Sequence, residues 1–536
     1  MKKLVKALIA STLGLAAPLL AQVTLSVSAH MDIYRAGGYN DGSDGIAPVV
    51  YSFPARPFQT LTFSSVAGAW SCSGGVAEYG ADGTSSSLCY HAGGQDINNP
   101  TGPFSGYDLT DFTGAMVGVF LEDALPTSAP PPLRFYVSDS SHGGTQTAFK
   151  ALGPKIGQVF FIGDGLTGTG SGSIQVFGVP PTATHLYLGY IDSCIQPGPT
   201  VPSCFSDNAG TLSATLQIHA LNWVSPSLSP TPPGTCCFGM AYDYATQSTV
   251  LFGGSADPPY LDDTWILRGH WSQVSPATSP PPRGGPGMAW DGAAGNIVLF
   301  GGVGDDGKYF NDTWTWDGVT WTQQLPLVSP PARAIEPQGM TYDAASKTVV
   351  LFGGLNSGRP CQPNGNALGD TWTWDGIAKT WTQQFPAVSP SARRAPMAYD
   401  AATRSVVLFG GDNGASVDYS DTWTWNGATW TQRFPAAAPL ARQCGSVAYD
   451  GTLGAVVLFG GFAGSWPNSL DDTWAWNGAD WVQAKPATVP PNRYSAGMTY
   501  VPAVKGLVMF GGLSSGPGRQ DTWIFTLVPV SGANEK

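Results

Sequence analysis

The chain has 536 residues and a formal net charge of −12, with only 12% of its residues charged. Its 69 glycines and 45 prolines suit a turn-rich all-β protein and count against helices, which tolerate neither in their interior. No basic run is present to neutralise phosphates, which excludes nucleic acid as the main partner, and 12% aromatic residues exclude a disordered chain.

The N-terminal "MKKLVKALIASTLGLAAPLLAQ" has a cationic start at Lys2, Lys3 and Lys6, an apolar stretch, then small residues. That order predicts a secretory signal peptide over 1–21, cleaved after Ala21. No later apolar stretch reaches the ~18 residues a spanning helix needs. The expectation is an exported protein, extracellular or periplasmic, with no membrane span after cleavage. Export permits disulfides, and the eight cysteines are at 72, 89, 194, 204, 236, 237, 361 and 444. Cys72 with Cys89 and Cys194 with Cys204 are the economical local pairs. The connectivity of Cys236, Cys237, Cys361 and Cys444 stays open.

Residues 22–220 hold alternating stretches such as "TLTFSSVAGAW", "GAMVGVFL", "GQVFFIGDG", "HLYLGYID" and "TLSATLQIHA". With Gly- and Pro-rich loops between them, they read as strands of a β-sandwich. The run "AGAW", "YGADG", "GAMVGVF", "IGDG", "LYLGYID" and "SDNAGTLSATL" also resembles, in order, the motifs of the PA-IL-like, calcium-dependent galactose-binding lectins. The resemblance implies a jelly-roll-like sandwich and a Ca²⁺ site on Asp192, Asp207 and Asn208, with backbone carbonyls near Cys204 and Cys72. Carboxylate, amide and main-chain oxygens are what this hard cation selects. Sugar hydroxyls would complete the coordination, so the implied chemistry is binding. The family's sugar-contacting His and Gln have no counterpart in step, since His91 and Gln95 are displaced, and galactose specificity does not carry over. The motif reading alone leaves "SDNAG" open as an ordinary Asx turn.

After residue 220 the chain repeats. "VLFGG" or a near copy ends at Gly254, Gly302, Gly354, Gly411, Gly461 and Gly512, in steps of 48, 52, 57, 50 and 51 residues. A "GMAYD"-like piece precedes each copy and "DTW" follows it. Most units close on "W-x-Q", at Trp271, Trp321, Trp381, Trp430 and Trp481. Asp317-Gly318, Asp375-Gly376, Asn426-Gly427 and Asn477-Gly478 predict tight hairpins that turn "TWTW" back onto "TWTQ". Four short strands per unit of about fifty residues, with a glycine pair and spaced aromatics, resembles a kelch-type β-propeller over 221–527. The sixth unit stops after three strands, and "LNWV" around Trp223 is a fourth-strand phrase without predecessors. The N-terminal strand is therefore expected to complete blade six and close the ring, with the tryptophans as filler between blades. Residues 528–536 form a tail.

Candidate chemistry in the propeller is sparse. Galactose oxidase shares the kelch architecture, but its copper needs several His and Tyr ligands, and only His270 lies here. The Asp of "DTW" recurs in all six units and reads as architecture. Arg283, Arg333, Arg393, Arg442 and Arg493 precede the first strands, with Gly234 in the first unit. They are expected at the channel mouth with Glu336, where they could bind an anionic ligand. The alternative is that each pairs with a repeated Asp of a neighbouring blade. No catalytic residue is assigned. The favoured function is a secreted glycan-binding or adhesion protein, with the propeller as interaction scaffold and a glycan or extracellular protein as partner. A carbohydrate-active enzyme using the channel mouth, or a structural envelope component, is the alternative.

Overall fold

The computed structural model describes residues 22–529, apart from 39–45, 72–106, 110–114, 137–144, 191–208 and shorter loop stretches. The signal segment, the proposed Ca²⁺ ligands, Cys72, Cys89, Cys194, Cys204, Cys361 and Glu336 lie outside the described residues. Among the described residues the only helical element is the 3₁₀ stretch Ile33–Gly38, and no helix is long and apolar enough to cross a membrane. The chain divides into two compact units at Ala220/Leu221.

The first unit is a β-sandwich. One sheet pairs Thr60–Ser71 with Val23–Ser28 through the long strand Ala209–Val224, and continues to Val176–Gly178 and Ala151–Leu152. The other sheet orders Val49–Ser52, His185–Tyr190, Met116–Leu121 and Val159–Phe161. Alternation explains the layering: Leu25 and Val27, and Leu212, Ala214 and Leu216, turn one face into a core shared with Leu186, Leu188, Val117 and Val119. Phe160 and Phe177 meet across the two sheets with ring centroids 5.2 Å apart. The strands expected from the alternating stretches are the strands observed.

The second unit is a propeller of six four-stranded antiparallel sheets. Blades one to five each run inner to outer in chain order, from Gly239–Asp243 through Trp481–Ala484. Blade six consists of Gly497–Val501, Gly506–Phe510 and Thr522–Pro529, and its outer strand is the end of Ala209–Val224. The expected closure around Trp223 is thus observed.

The outer-strand tryptophans hold the blades together. Each indole N–H donates to the threonine hydroxyl of "DTW" in the preceding blade. Trp321 reaches Thr264, Trp381 Thr313, Trp430 Thr371 and Trp481 Thr422, at 2.9–3.0 Å. Trp223 to Thr473 and Trp271 to Thr522, both at 3.0 Å, complete the circle. Each of the six rings also packs on the phenylalanine of the preceding blade's "VLFGG", with centroids 5.0–5.3 Å apart. The glycine pair has a different task. Gly353 and Gly354 take φ of +63° and +97°, and a Cβ on Gly353 would stand 2.0 Å from the Arg393 carbonyl. Only glycine lets the crossing loop of the next blade approach so closely.

Candidate ligand-binding site

The innermost strand of every blade carries the "GMAYD" phrase, and there repetition becomes convergence. Residues two apart on a strand share a face. Met240, Met288, Met340, Met397, Val447 and Met498 therefore form one tier around the channel. Tyr242, Trp290, Tyr342, Tyr399, Tyr449 and Tyr500 form a second. Together they line a cavity of about 480 Å³ at the end of the channel where the first strands turn into the second. The Met and Val tier is 2–3% exposed, whereas all the tier-two aromatics except Tyr242 are half-buried. The lining includes alanine, glycine, two threonines and Gln338, but no carboxylate, histidine, lysine or arginine.

The glycines of the phrase explain the close spacing of the inner tier. A Cβ on Gly287 would meet Met340 Sδ at 2.4 Å, and one on Gly497 would meet Met240 Sδ at 2.7 Å. Each methionine lies over the glycine of the preceding blade. The aromatic rings lean the same way. Tyr342 covers Gly292, Tyr500 covers Gly451, and Trp290 stacks against Tyr244 at 5.7 Å.

At the inner end, Gln338 crosses the channel. Its Nε2 donates to the Ala496 carbonyl at 3.3 Å, joining blade three to the opposite blade six. Its Oε1 is sealed from water and has no hydrogen-bond partner.

Behind the aromatic tier stand the aspartates of "YD". Asp243, Asp291, Asp343, Asp400 and Asp450 are 0–1% exposed, and blade six has Val501 instead. Each accepts backbone N–H bonds from the turn that follows it, as Asp450 does from Thr452 and Leu453 at 2.8 and 3.1 Å. Burial pushes Asp450 up to about 6, against which its two N–H bonds pull only partly. The Tyr342, Tyr399 and Tyr449 phenols are raised by burial and then by the charges of these aspartates. The mouth therefore sits in a negative field with no cation in its wall.

Residues 268–433, from the outer strand of blade one to that of blade four, match the family model described as the KLHDC2/KLHL20/DRC7 Kelch-repeats domain. The propeller is of the kelch type. Solved structures are also similar: "Structure of YjhT" aligns over 56% of this chain and 99% of that one, with 15% identity and a TM-score of 0.44. No curated protein matches the chain.

The loop arginines of the kelch repeats are placed differently from the expectation. Arg283, Arg333, Arg393, Arg442 and Arg493 are at most 2% exposed, and all their donors are engaged. Arg333 shows the pattern. Its Nε donates to the Pro331 carbonyl, Nη1 to the Gly353 carbonyl and Asp370 Oδ1, and Nη2 to Asp370 Oδ2, at 2.6–2.9 Å. The other four make the same fork with Asp312, Asp421, Asp472 and Asp521. Each aspartate belongs to the arginine's own blade, not to its neighbour. The guanidiniums are internal staples between the crossing loop and the third strand, with no donor left for an anionic ligand. Trp372 Nε1 also donates to Asp370, and its counterparts repeat the bond in blades two to six.

Other expected residues stand apart from the mouth. His270 is exposed, just before the outer strand of blade one. The Sγ atoms of Cys236 and Cys237 lie 2.8 Å apart and buried, in the loop before blade one. In the corresponding loops of blades four and five, sequence reasoning missed a polar chain. Arg394 bonds Asp412 at 2.6 Å and Gln443 at 2.8 Å, and Gln443 reaches Asp418 at 3.0 Å. The second Asp418 oxygen accepts the Gly464 N–H at 2.7 Å. Sequence reasoning also passed over the aromatic mouth, although its signal was present: an aromatic residue two positions after the Met or Val in all six phrases.

Proposed function

We propose that this protein binds its ligand without transforming it, with the kelch propeller as an interaction scaffold and the aromatic mouth as its binding surface. The observation that carries this reading is the mouth itself. Six aromatic side chains, one per blade, surround a cavity whose wall holds no carboxylate, imidazole or amine to move a proton. Export by the N-terminal signal, and Ca²⁺-dependent glycan binding by the sandwich through Asp192, Asp207, Asn208 and the Cys204 carbonyl, complete the proposal. Their support is the order of motifs in the sequence. The role that follows is adhesion or capture of an extracellular glycan or protein.

Arrays of glycans and peptides probed with the full chain test this, with and without chelator, beside two variants. Asp207→Ala should abolish the chelator-sensitive glycan signals. A Tyr399→Ala/Tyr449→Ala double variant, altering two half-exposed rings, should reduce the remaining signals at least tenfold while leaving the unfolding midpoint nearly unchanged. If no bound member responds to either variant, the reading fails.

A further inference from the structure

We propose that the aromatic mouth recognises a primary ammonium group, seated within the six rings and donating an N–H to Gln338 Oε1. The source is either a lysine side chain of a partner protein or the end of a free diamine. The inference rests on the mouth being a binding surface and names what it binds.

Three independent features of the mouth point to this chemistry. The first is the aromatic tier: the faces of Tyr and Trp rings carry negative quadrupole charge, and several rings around one point attract a cation more than any one ring does. The second is the field behind the rings. Five buried aspartates stand there, with no lysine or arginine in the lining and a net charge of −12 on the chain. The third is Gln338. Its amide orientation is fixed by donation to the Ala496 carbonyl, which leaves Oε1 as an acceptor sealed from water and unmatched. A buried acceptor without a partner is costly, and a donor on an incoming ligand removes that cost.

Other ligand classes fit less well. An anion would meet the aspartate field and find no cationic partner. A sugar ring could stack on the tyrosines, but among the methionines its remaining hydroxyls would find few polar groups and stay unmatched. An ammonium on an alkyl stem matches the gradation from half-exposed aromatics to buried methionines to one acceptor. The stem lies along apolar wall, and the unbranched methionine side chains can adjust around it.

Calorimetry on the full chain tests the assignment. The probes are putrescine and a lysine-containing hexapeptide, beside the same peptide acetylated or trimethylated at the lysine nitrogen. The expected result is binding by a primary ammonium probe and loss on acetylation. Gln338→Leu should weaken the primary ammonium at least tenfold and leave the trimethylated peptide, which has no N–H to donate, unchanged. The variant should unfold no earlier than wild type, since it removes an unmatched acceptor and the Ala496 carbonyl keeps its bond from Ser446 Oγ at 2.8 Å. Binding of the peptide but not putrescine identifies a partner protein as the source, and the converse a free amine. Acetylated and free lysine peptides binding alike, or Gln338→Leu having no effect, overturns the inference. If the array ligands remain sensitive to the Tyr399/Tyr449 variant in that case, the mouth is still a binding surface for another class. If nothing is sensitive to that variant, both readings fall.

Discussion

Asp450 is an acidic side chain held where its charge is disfavoured. In the folded protein its carboxyl titrates near 6, against an ordinary 3.8, because burial outweighs the two N–H bonds it accepts. A folded-state value above the unfolded one means that protonation favours the fold. The stabilisation is complete below pH 3.8 and is lost as pH rises through 6. Two units correspond to about 3 kcal/mol at most. Asp450→Asn keeps the acceptor for Thr452 and Leu453 and removes the charge. Urea unfolding of the variant should match wild type at pH 4 and exceed it at pH 7.5, by about 1–3 kcal/mol. A difference that does not vary with pH would mean that the carboxylate is not desolvated. Arg333 presents the opposite situation, a buried charge fully paired. Burial raises its partner Asp370, but the hydrogen bonds and charge of Arg333 outweigh it, and the net direction is down. Arg333→Ala leaves that carboxylate without its cation and should cost about 3–5 kcal/mol in denaturant unfolding. An arginine that served a ligand instead would lose binding and little stability, so one variant separates the two roles.

At the scale of the element, the blade was legible because its parts are locally encoded. Asp317-Gly318 is an Asx-capped turn whose Asp Oδ1 accepts from Val319 and Thr320 at 2.9 and 2.8 Å, with Gly318 at φ +96°. The hairpin that turns Trp316 back onto Trp321 follows from that dipeptide, and the two rings sit 5.3 Å apart. What the sequence could not convey was direction from the axis. A landmark repeated on an outer strand stays in six separate places and is architecture. Repeated on the inner strand, it gathers at one point and becomes a site. The aromatic of "GMAYD" and the Asp of "DTW" have the same period, and the chain alone does not say which of them faces the channel. The arginines were misplaced for the same reason. Their period was visible, but the carbonyls of Gly301, Gly353 and Gly410 that receive their Nη1 atoms become neighbours only when the crossing loop folds over the glycine pair.

At the scale of the molecule, ring closure rests on Trp223, 1% exposed and packed against Phe459 and Phe525 at 5.0 and 4.9 Å. Trp223→Ala should cost about 3–5 kcal/mol, as other buried tryptophan truncations do. Trp430→Ala removes an equivalent ring from blade four, where strands before and after it remain covalently in order. The two variants should differ in where they open. Limited proteolysis should cut within residues 497–527 of Trp223→Ala and spare that stretch in Trp430→Ala. Identical cleavage patterns would show that the junction is no weaker than any other.

The closing strand also sets an order of assembly. Its residues 221–224 are made before any of the blades, while Thr522–Pro529, against which they pair, is made after all the others. Until then the circle has two unsatisfied sheet edges, each a template for pairing with a stranger. Five blades can form as they emerge, but the ring becomes a ring only on arrival of the last strand. A chain stalled or cut anywhere before it is an open arc, prone to join another arc end to end. For an exported protein, completing the circle would then belong after translocation, and an escort covering the waiting strand would serve it best.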